Sequence, residues 1–376
     1  MFKRKTGRYQ PMSHQGHANS RVQFMNCLNV LACFAVICLH CSQVVFRPSA
    51  SITWYYSVVM QSVFIFAVPI FFMLSGANLL GYRKRYSTKT FFKKRLKKTL
   101  VALIVGSALV YCITCFCPEL FCRVPRRFSL LDFVSLFLNN EIEPIYWFFY
   151  VILVVYLMTP LLSLLADSKK VLLYAILLLG FASSVLPFLS RYVPAFLFLQ
   201  SLFGAQALTG GITFFLLGYY LQNYAPRQRP APCVLAFALF TALMIAATIA
   251  INLDAVQQPD ISYEGFFSNA FSFFSIGASS ALFLLFKSAE PRFQQLSSAH
   301  KSVLQRLSSA SLGVYVIHLL VMDYIAFVLP HPWSISMTIE PPVVYLITVV
   351  IVMIAQSAWT AGKKGLARGK ASLSRS

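Results

Sequence analysis

Twenty residues from Cys27 to Phe46, CLNVLACFAVICLHCSQVVF, hold one ionisable group other than thiols, His40, about three-quarters of the way along. A helix of roughly 20 mostly apolar residues crosses the hydrocarbon core of a bilayer. An ionisable side chain at that depth is costly unless it has a partner or lines a wet cavity. The run therefore predicts an integral membrane protein and makes His40 a functional-site candidate, with chemistry inside the membrane.

Nine further apolar segments follow, at about 55–81, 99–118, 145–166, 171–190, 204–224, 232–252, 265–287, 310–329 and 341–361. With 26–46 they predict an all-α, polytopic helix bundle of about ten transmembrane helices. Pro187, Pro194 and the pair Gly210–Gly211 interrupt the fifth and sixth. Phe196 to Leu202 either extends the sixth span or forms a re-entrant piece. Only 11% of residues are charged, against about 25% in soluble domains.

The net charge of +21 does not point to nucleic acid, because of where it sits. Nine basic residues crowd between Arg83 and Lys98, beside an apolar span. Such clusters read as cytoplasmic anchors on an anionic leaflet. With a cytoplasmic N-terminus, 27 Lys and Arg fall inside and five outside. Both termini are then cytoplasmic, and the first span is retained rather than cleaved. The expected organisation is a basic tail over 1–21, one membrane domain over 22–361 and a second basic tail over 362–376. Phe128–Leu138 is apolar enough to lie on the outer interface, and Glu290–Ser309 reads as an amphipathic surface helix.

The nine cysteines show no metal-ligand spacing, and no metal is expected. Those of the first span behave as small apolar residues. Cys112, Cys115, Cys117 and Cys122 cluster at the outer end of the third span, where free thiols and a Cys117–Cys122 disulfide both stay open.

Few intramembrane residues can carry chemistry: His40, Ser75, and His318 with Asp323 in the ninth span. Ser75–Gly76 equally suits close helix packing. Tyr146 and Trp147 suit an interfacial belt as well as an outer binding patch. The stretch RKRYSTKTFFKKRLKK, with Lys94 and Arg95, reads as an anchor or as a cradle for a phosphorylated cytoplasmic donor. No phosphate loop of the G-x-x-x-x-G-K-[ST] type and no G-x-S-x-G elbow is present.

Five stretches in order carry a family resemblance: LNVLACFAVICLH (28–40), VPIFFMLSGANLL (68–80) with FFKKRLKK (91–98), PIYWFFYVILVVYLMTPLL (144–162), GGITFFLLGYYL (210–221) and SLGVYVIHLL (311–320). The chain resembles the membrane acyltransferase 3 family, multi-span bacterial enzymes that O-acylate surface glycans and glycolipids. The resemblance makes His40 the first-span histidine essential for acyl transfer, acting as general base or as transient acyl carrier. It sets Ser75 and Gly76 in the family's FFxxSG signature, Arg95 in its basic loop, Trp147 and Tyr156 among its span-four aromatics, and Tyr315 and His318 in its Y-x-x-H signature. Many members carry arginine eleven residues before the histidine and an acid three residues earlier. Here Asn29 and Asn26 stand there, so another cation or amide hydrogen bonds take over.

The implied function is a plasma-membrane O-acyltransferase, an O-acetyltransferase by preference. The donor is acyl-CoA, contacted by Arg95, Lys94, Asn29, Ser75 and Gly76. The acceptor is a hydroxyl on a surface glycan, its lipid-linked precursor or a glycolipid, contacted by Tyr146, Trp147, Tyr315 and His318. The bilayer is the other partner. The alternatives are an exporter or flippase of a surface polysaccharide without acyl chemistry, and more weakly a sensor using the outer aromatics.

Overall fold

The computed structural model describes residues 22–258, 261–330 and 332–373. The N-terminal basic tail, Asp260 and residues 374–376 lie outside the described residues. Every regular element among the described residues is helical, as expected.

The first apolar run forms α1 (Gln23–Cys41), which ends five residues before Phe46. Its end is closed by side chains. Ser42 Oγ donates to Cys38 O at 2.8 Å, and Gln61 Nε2 donates to Leu39 O at 2.7 Å. These bonds serve carbonyls that a helix end leaves unpaired. His40 consequently sits in the last turn of α1. The second span is broken into α2 (Ile52–Phe64) and α3 (Ala67–Leu79). Pro69 explains the break, because it has no N–H for the carbonyl of Ile65 four residues earlier.

The basic loop holds the short α4 (Thr88–Lys94), and α5 (Leu96–Phe116) is the third span. The outer connection contains α6 (Leu130–Leu138), whose Leu130, Leu131 and Leu138 are exposed, as suits a helix lying on the interface. The fourth span is α7 (Trp147–Leu162). The fifth is α8 (Lys169–Gly180), a π-turn over Phe181–Val185, and α9 (Leu186–Tyr192). Here Pro187 deprives Ser183 O of its helical partner. Gln206 Nε2 supplies the missing donor at 2.8 Å.

Residues 194–202, with α10 (Leu197–Leu202), meet α11 (Gln206–Asn223) at a 66° bend. Gly204 forms the bend at φ +70°, a backbone conformation that favours glycine. The seventh span is α12 (Pro230–Ile251), followed by the short α13 (Leu253–Gln257). The eighth is shorter than expected: α14 starts only at Phe273 and ends at Ser288. Asn269 Oδ1 accepts from Phe271 N and Ser272 Oγ from Ser275 N, so side chains hold 269–272 as a cap.

The expected amphipathic helix over Glu290–Ser309 is not a separate element. It divides into α15 (Glu290–Gln294) and the first turns of α16 (Ser298–Val328), which continues as the ninth span. Beyond α17 (Trp333–Thr338), α18 (Glu340–Leu373) runs on into residues assigned from sequence to the C-terminal tail. Among the described residues, eight helical stretches are long and apolar enough to cross a membrane. The bent α10–α11 pair makes a ninth, and α14 is a shorter apolar helix.

Two glycines set the closest helix contact. A methyl group on Gly76 of α3 would overlap the Phe215 carbonyl of α11, and one on Gly218 of α11 would overlap the Met73 carbonyl of α3. Backbone-to-backbone approach of this kind is how membrane helices gain packing energy without help from water. Helix α1 lies inside the bundle, with Leu28, Ala32, Ala35 and Ile37 fully buried. No side chain of its own caps its start. Instead Glu290 accepts from Gln23 N at 3.2 Å and Phe24 N at 2.7 Å, placing a carboxylate at the positive end of the helix dipole. Nearby, Lys287 Nζ donates to Leu221 O, Gln222 O and Ala225 O at the end of α11. These caps join α14 and α15 to α1 and α11 and hold the helix that carries His40.

Candidate functional site

His40 and His318 face one another across α1 and α16, with ring centroids 5.2 Å apart and planes tilted by 43°. His318 is fully buried. Its Nδ1 lies 2.9 Å from Tyr315 O and 3.2 Å from Val314 O. Carbonyl oxygens only accept, so Nδ1 carries the hydrogen and a neutral ring keeps its lone pair at Nε2. That Nε2 is buried without a hydrogen-bond partner among the described residues. A buried unpaired acceptor costs about 1–3 kcal/mol. The sequence assigned the histidines separate roles, but the fold makes them neighbours.

Towards the basic loop lies a cavity of about 390 Å³. Asn26 and Asn29 of α1, Ser75 and Asn78 of α3, Tyr156 of α7 and Ser308, Ser309 and Ser311 of α16 give it polar walls. The exposed Arg95 and Lys98 stand at its mouth. Phe71, Phe148, Phe149 and Tyr315 line it as well. Tyr315 also reaches His318, with ring centroids 5.8 Å apart. The cavity therefore abuts the histidine pair through an aromatic wall.

Asn29 lines the cavity and joins two helices. Its Nδ2 lies 3.0 Å from Ser308 O, 3.1 Å from Ser308 Oγ and 3.0 Å from Ser311 Oγ. Amide hydrogen bonds thus occupy the position, eleven residues before His40, at which the resemblance implied an arginine. Asn26 Nδ2 donates to Gln23 Oε1. Ser75 Oγ and Tyr156 OH are 3.4 Å apart, linking α3 to α7 across the cavity.

Other sequence candidates sit elsewhere. Gly76 packs on α11 and does not line the cavity, and neither does Lys94. The Lys94 ammonium rests 5.3 Å above the Tyr86 ring. Tyr146 is buried, with its hydroxyl donating to Val316 O at 2.8 Å, while Tyr315 OH donates to Ile145 O at 2.6 Å. These reciprocal bonds latch α16 to the start of α7. Trp147 is half-buried against Phe271, ring centroids 6.0 Å apart.

Sequence reasoning held Lys98 only within the basic stretch 83–98 and missed Asn78, Ser308 and Ser311 as lining residues. Arg95 is the junction between α4 and α5, and Lys98 lies in the first turn of α5. On the outer side, Arg123 Nη2 contacts both Glu143 and Asp323 at 2.8 Å. Asp323, grouped from sequence with the intramembrane candidates, is held in this outer ion pair and is partly exposed. Burial pushes the Glu143 carboxyl above its ordinary pKa, and the Arg123 guanidinium opposes that shift. All nine cysteines are free thiols, and no cluster among the described residues suits a metal ion.

Comparison with known proteins bears on this arrangement. The family model for the acyltransferase 3 domain matches residues 22–360. No curated protein and no solved structure matches the chain. The matched range includes the histidine pair, the cavity and the basic loop. The chain belongs to the acyltransferase 3 family and is a multi-pass membrane acyltransferase.

Proposed function

We propose that the protein is an O-acyltransferase, an acetyltransferase by preference, of a bacterial plasma membrane. It moves an acyl group from cytoplasmic acyl-CoA to a hydroxyl of a surface glycan, its lipid-linked precursor or a glycolipid. The observation that carries this reading is the polar cavity with Arg95 and Lys98 at its mouth and the His40–His318 pair behind its far wall.

At about 390 Å³, the cavity lies near the low end of the roughly 300–1,000 Å³ range of ligand sites. That size suits a slender pantetheine arm better than a whole nucleotide. The phosphates would remain at Arg95 and Lys98, whose charges suit them. The thioester would then point towards the aromatic wall and the histidines. The acceptor hydroxyl attacks the thioester carbonyl; a C–O bond forms, the C–S bond breaks, and coenzyme A leaves as thiol. One imidazole takes the hydroxyl proton and returns it to the leaving sulfur. His318 is suited to orient His40 or to share its proton, because backbone carbonyls hold its tautomer and Nε2 is unpaired.

The test is His40→Gln. Glutamine keeps the approximate size and a hydrogen-bonding head but cannot act as the base. General-base removal typically costs about 100- to 10,000-fold in rate. The variant should accumulate in the membrane while acylation of the surface glycan, read by mass spectrometry, is lost. Acylation at the normal level would remove His40 from the chemistry. Glycan accumulating inside the cell would favour export.

A further inference from the structure

Resting on the acyl-CoA reading, the geometry points to a size selector for the acyl group. We propose that Phe71, Phe148 and Tyr315 form a collar between the donor cavity and the histidine pair, restricting transfer to short acyl groups of acetyl size.

The three rings come from three helices, α3, α7 and α16. Their centroids are 5.8 Å apart for Phe71–Phe148, 5.5 Å for Phe148–Tyr315 and 6.4 Å for Phe71–Tyr315. These are contact separations for aromatic pairs, so the triangle is closed. All three residues line the cavity, whereas neither His40 nor His318 does. Tyr315 also meets His318, with planes tilted by 47°. A group leaving the cavity for the histidines meets this triangle.

Two sides of the collar are held firmly. Tyr315 is fixed by its hydroxyl bond to Ile145 O and by Phe149, ring centroids 5.3 Å away. Phe148 is backed by Phe72 at 5.0 Å. Phe71 is the least buried of the three, so in this proposal it is the ring that turns. Turning one ring admits a two-carbon group. A longer chain must hold the collar open along its length and displace the fixed rings, which a close-packed core resists.

Each methylene that fits or fails to fit an apolar site changes discrimination by about 10- to 200-fold. The experiment supplies everted membrane vesicles, prepared from cells that make the glycan, with acetyl-, butyryl- or hexanoyl-CoA labelled in the acyl group. Label incorporated into vesicle glycan is measured. The native protein should prefer acetyl over butyryl by at least about tenfold and exclude hexanoyl. Phe148→Ala and the milder Phe71→Leu should each raise the butyryl-to-acetyl ratio about tenfold or more. Equal use of acetyl and hexanoyl by the native protein overturns the collar without any variant. An unchanged ratio in a variant that still incorporates acetyl overturns it too. No incorporation by the native protein from any thioester overturns the donor reading itself, and the selector with it.

Discussion

His40, in the last turn of α1, and His318, in the second half of α16, bring their rings to 5.2 Å, and the Nε2 of His318 has no hydrogen-bond partner among the described residues. In the proposed mechanism the two imidazoles serve one proton-transfer step. His318→Gln should therefore lower acyl transfer about 100-fold or more, the range for losing a general acid–base group. Combined with His40→Gln, it should cost little beyond the worse single variant, as for residues sharing one step. Transfer rates in vesicles across the four-member cycle check this, and multiplying losses would make the two independent.

Asn29 lies eleven residues before His40, about 16 Å along α1. It cannot touch that ring, yet it lines the cavity and bonds Ser308 and Ser311. Asn29→Leu removes these bonds, each worth about 1 kcal/mol, and makes the wall apolar. The apparent KM for acyl-CoA should rise several-fold with kcat less affected. A change in kcat alone would place Asn29 in the chemical step.

Gly76 and Gly218 hold α3 and α11 at backbone contact. Gly76→Ala or Gly218→Ala sets a methyl group against a carbonyl. Overpacking typically costs about 1–3 kcal/mol, and backbone obstruction lies at the upper end. At Gly81 the nearest atom is a Tyr219 side-chain carbon 3.2 Å away, which can yield. Thermal unfolding in detergent should rank Gly81→Ala well above the other two. Equal midpoints would mean the α3–α11 contact is slack.

Arg123 joins Glu143 and Asp323 at the outer end of the bundle. Removing it strands Glu143, whose side chain is only 7% exposed. Breaking a buried pair from one side costs about 3–5 kcal/mol. Since burial already raises the Glu143 pKa, the stranded carboxyl should take up a proton as pH falls. Arg123→Ala should thus lose stability at neutral pH and recover part of it in mild acid. Melting curves between pH 5 and pH 8 would show whether the deficit shrinks.

The proposed topology rests on charge. Reporter fusions after Arg8 and after Ser376 should both report the cytoplasmic side, as the distribution of Lys and Arg requires. An outside report at one end alone would mean an odd number of crossings.

Apolar run length and the placement of Lys and Arg are local properties, so the sequence by itself determined an all-α membrane bundle and the approximate course of most of its spans. Pro187 was legible as an interruption, whereas the break before Pro69 was not, since 55–81 reads as one span; the manner in which each break is absorbed was legible at neither. Gln206 repairs the carbonyl freed by Pro187 from a different helix, and no local pattern announces such a donor. The same holds for α14, whose apolar run extends further than the helix does. His40 stood out because burying an imidazole is costly. Its meeting with His318 depends on the register of α1 against α16, and that register is set by distant groups: Glu290 on the first N–H groups of α1, and Asn29 on Ser308 and Ser311. Tyr146 looked like an interfacial ring from its position at the start of an apolar run; the fold buries it and spends its hydroxyl on Val316. Tertiary structure alone decided which polar residues share the cavity, because membrane helices choose their facing sides through close packing and long-range hydrogen bonds rather than through a hydrophobic stripe readable along the chain.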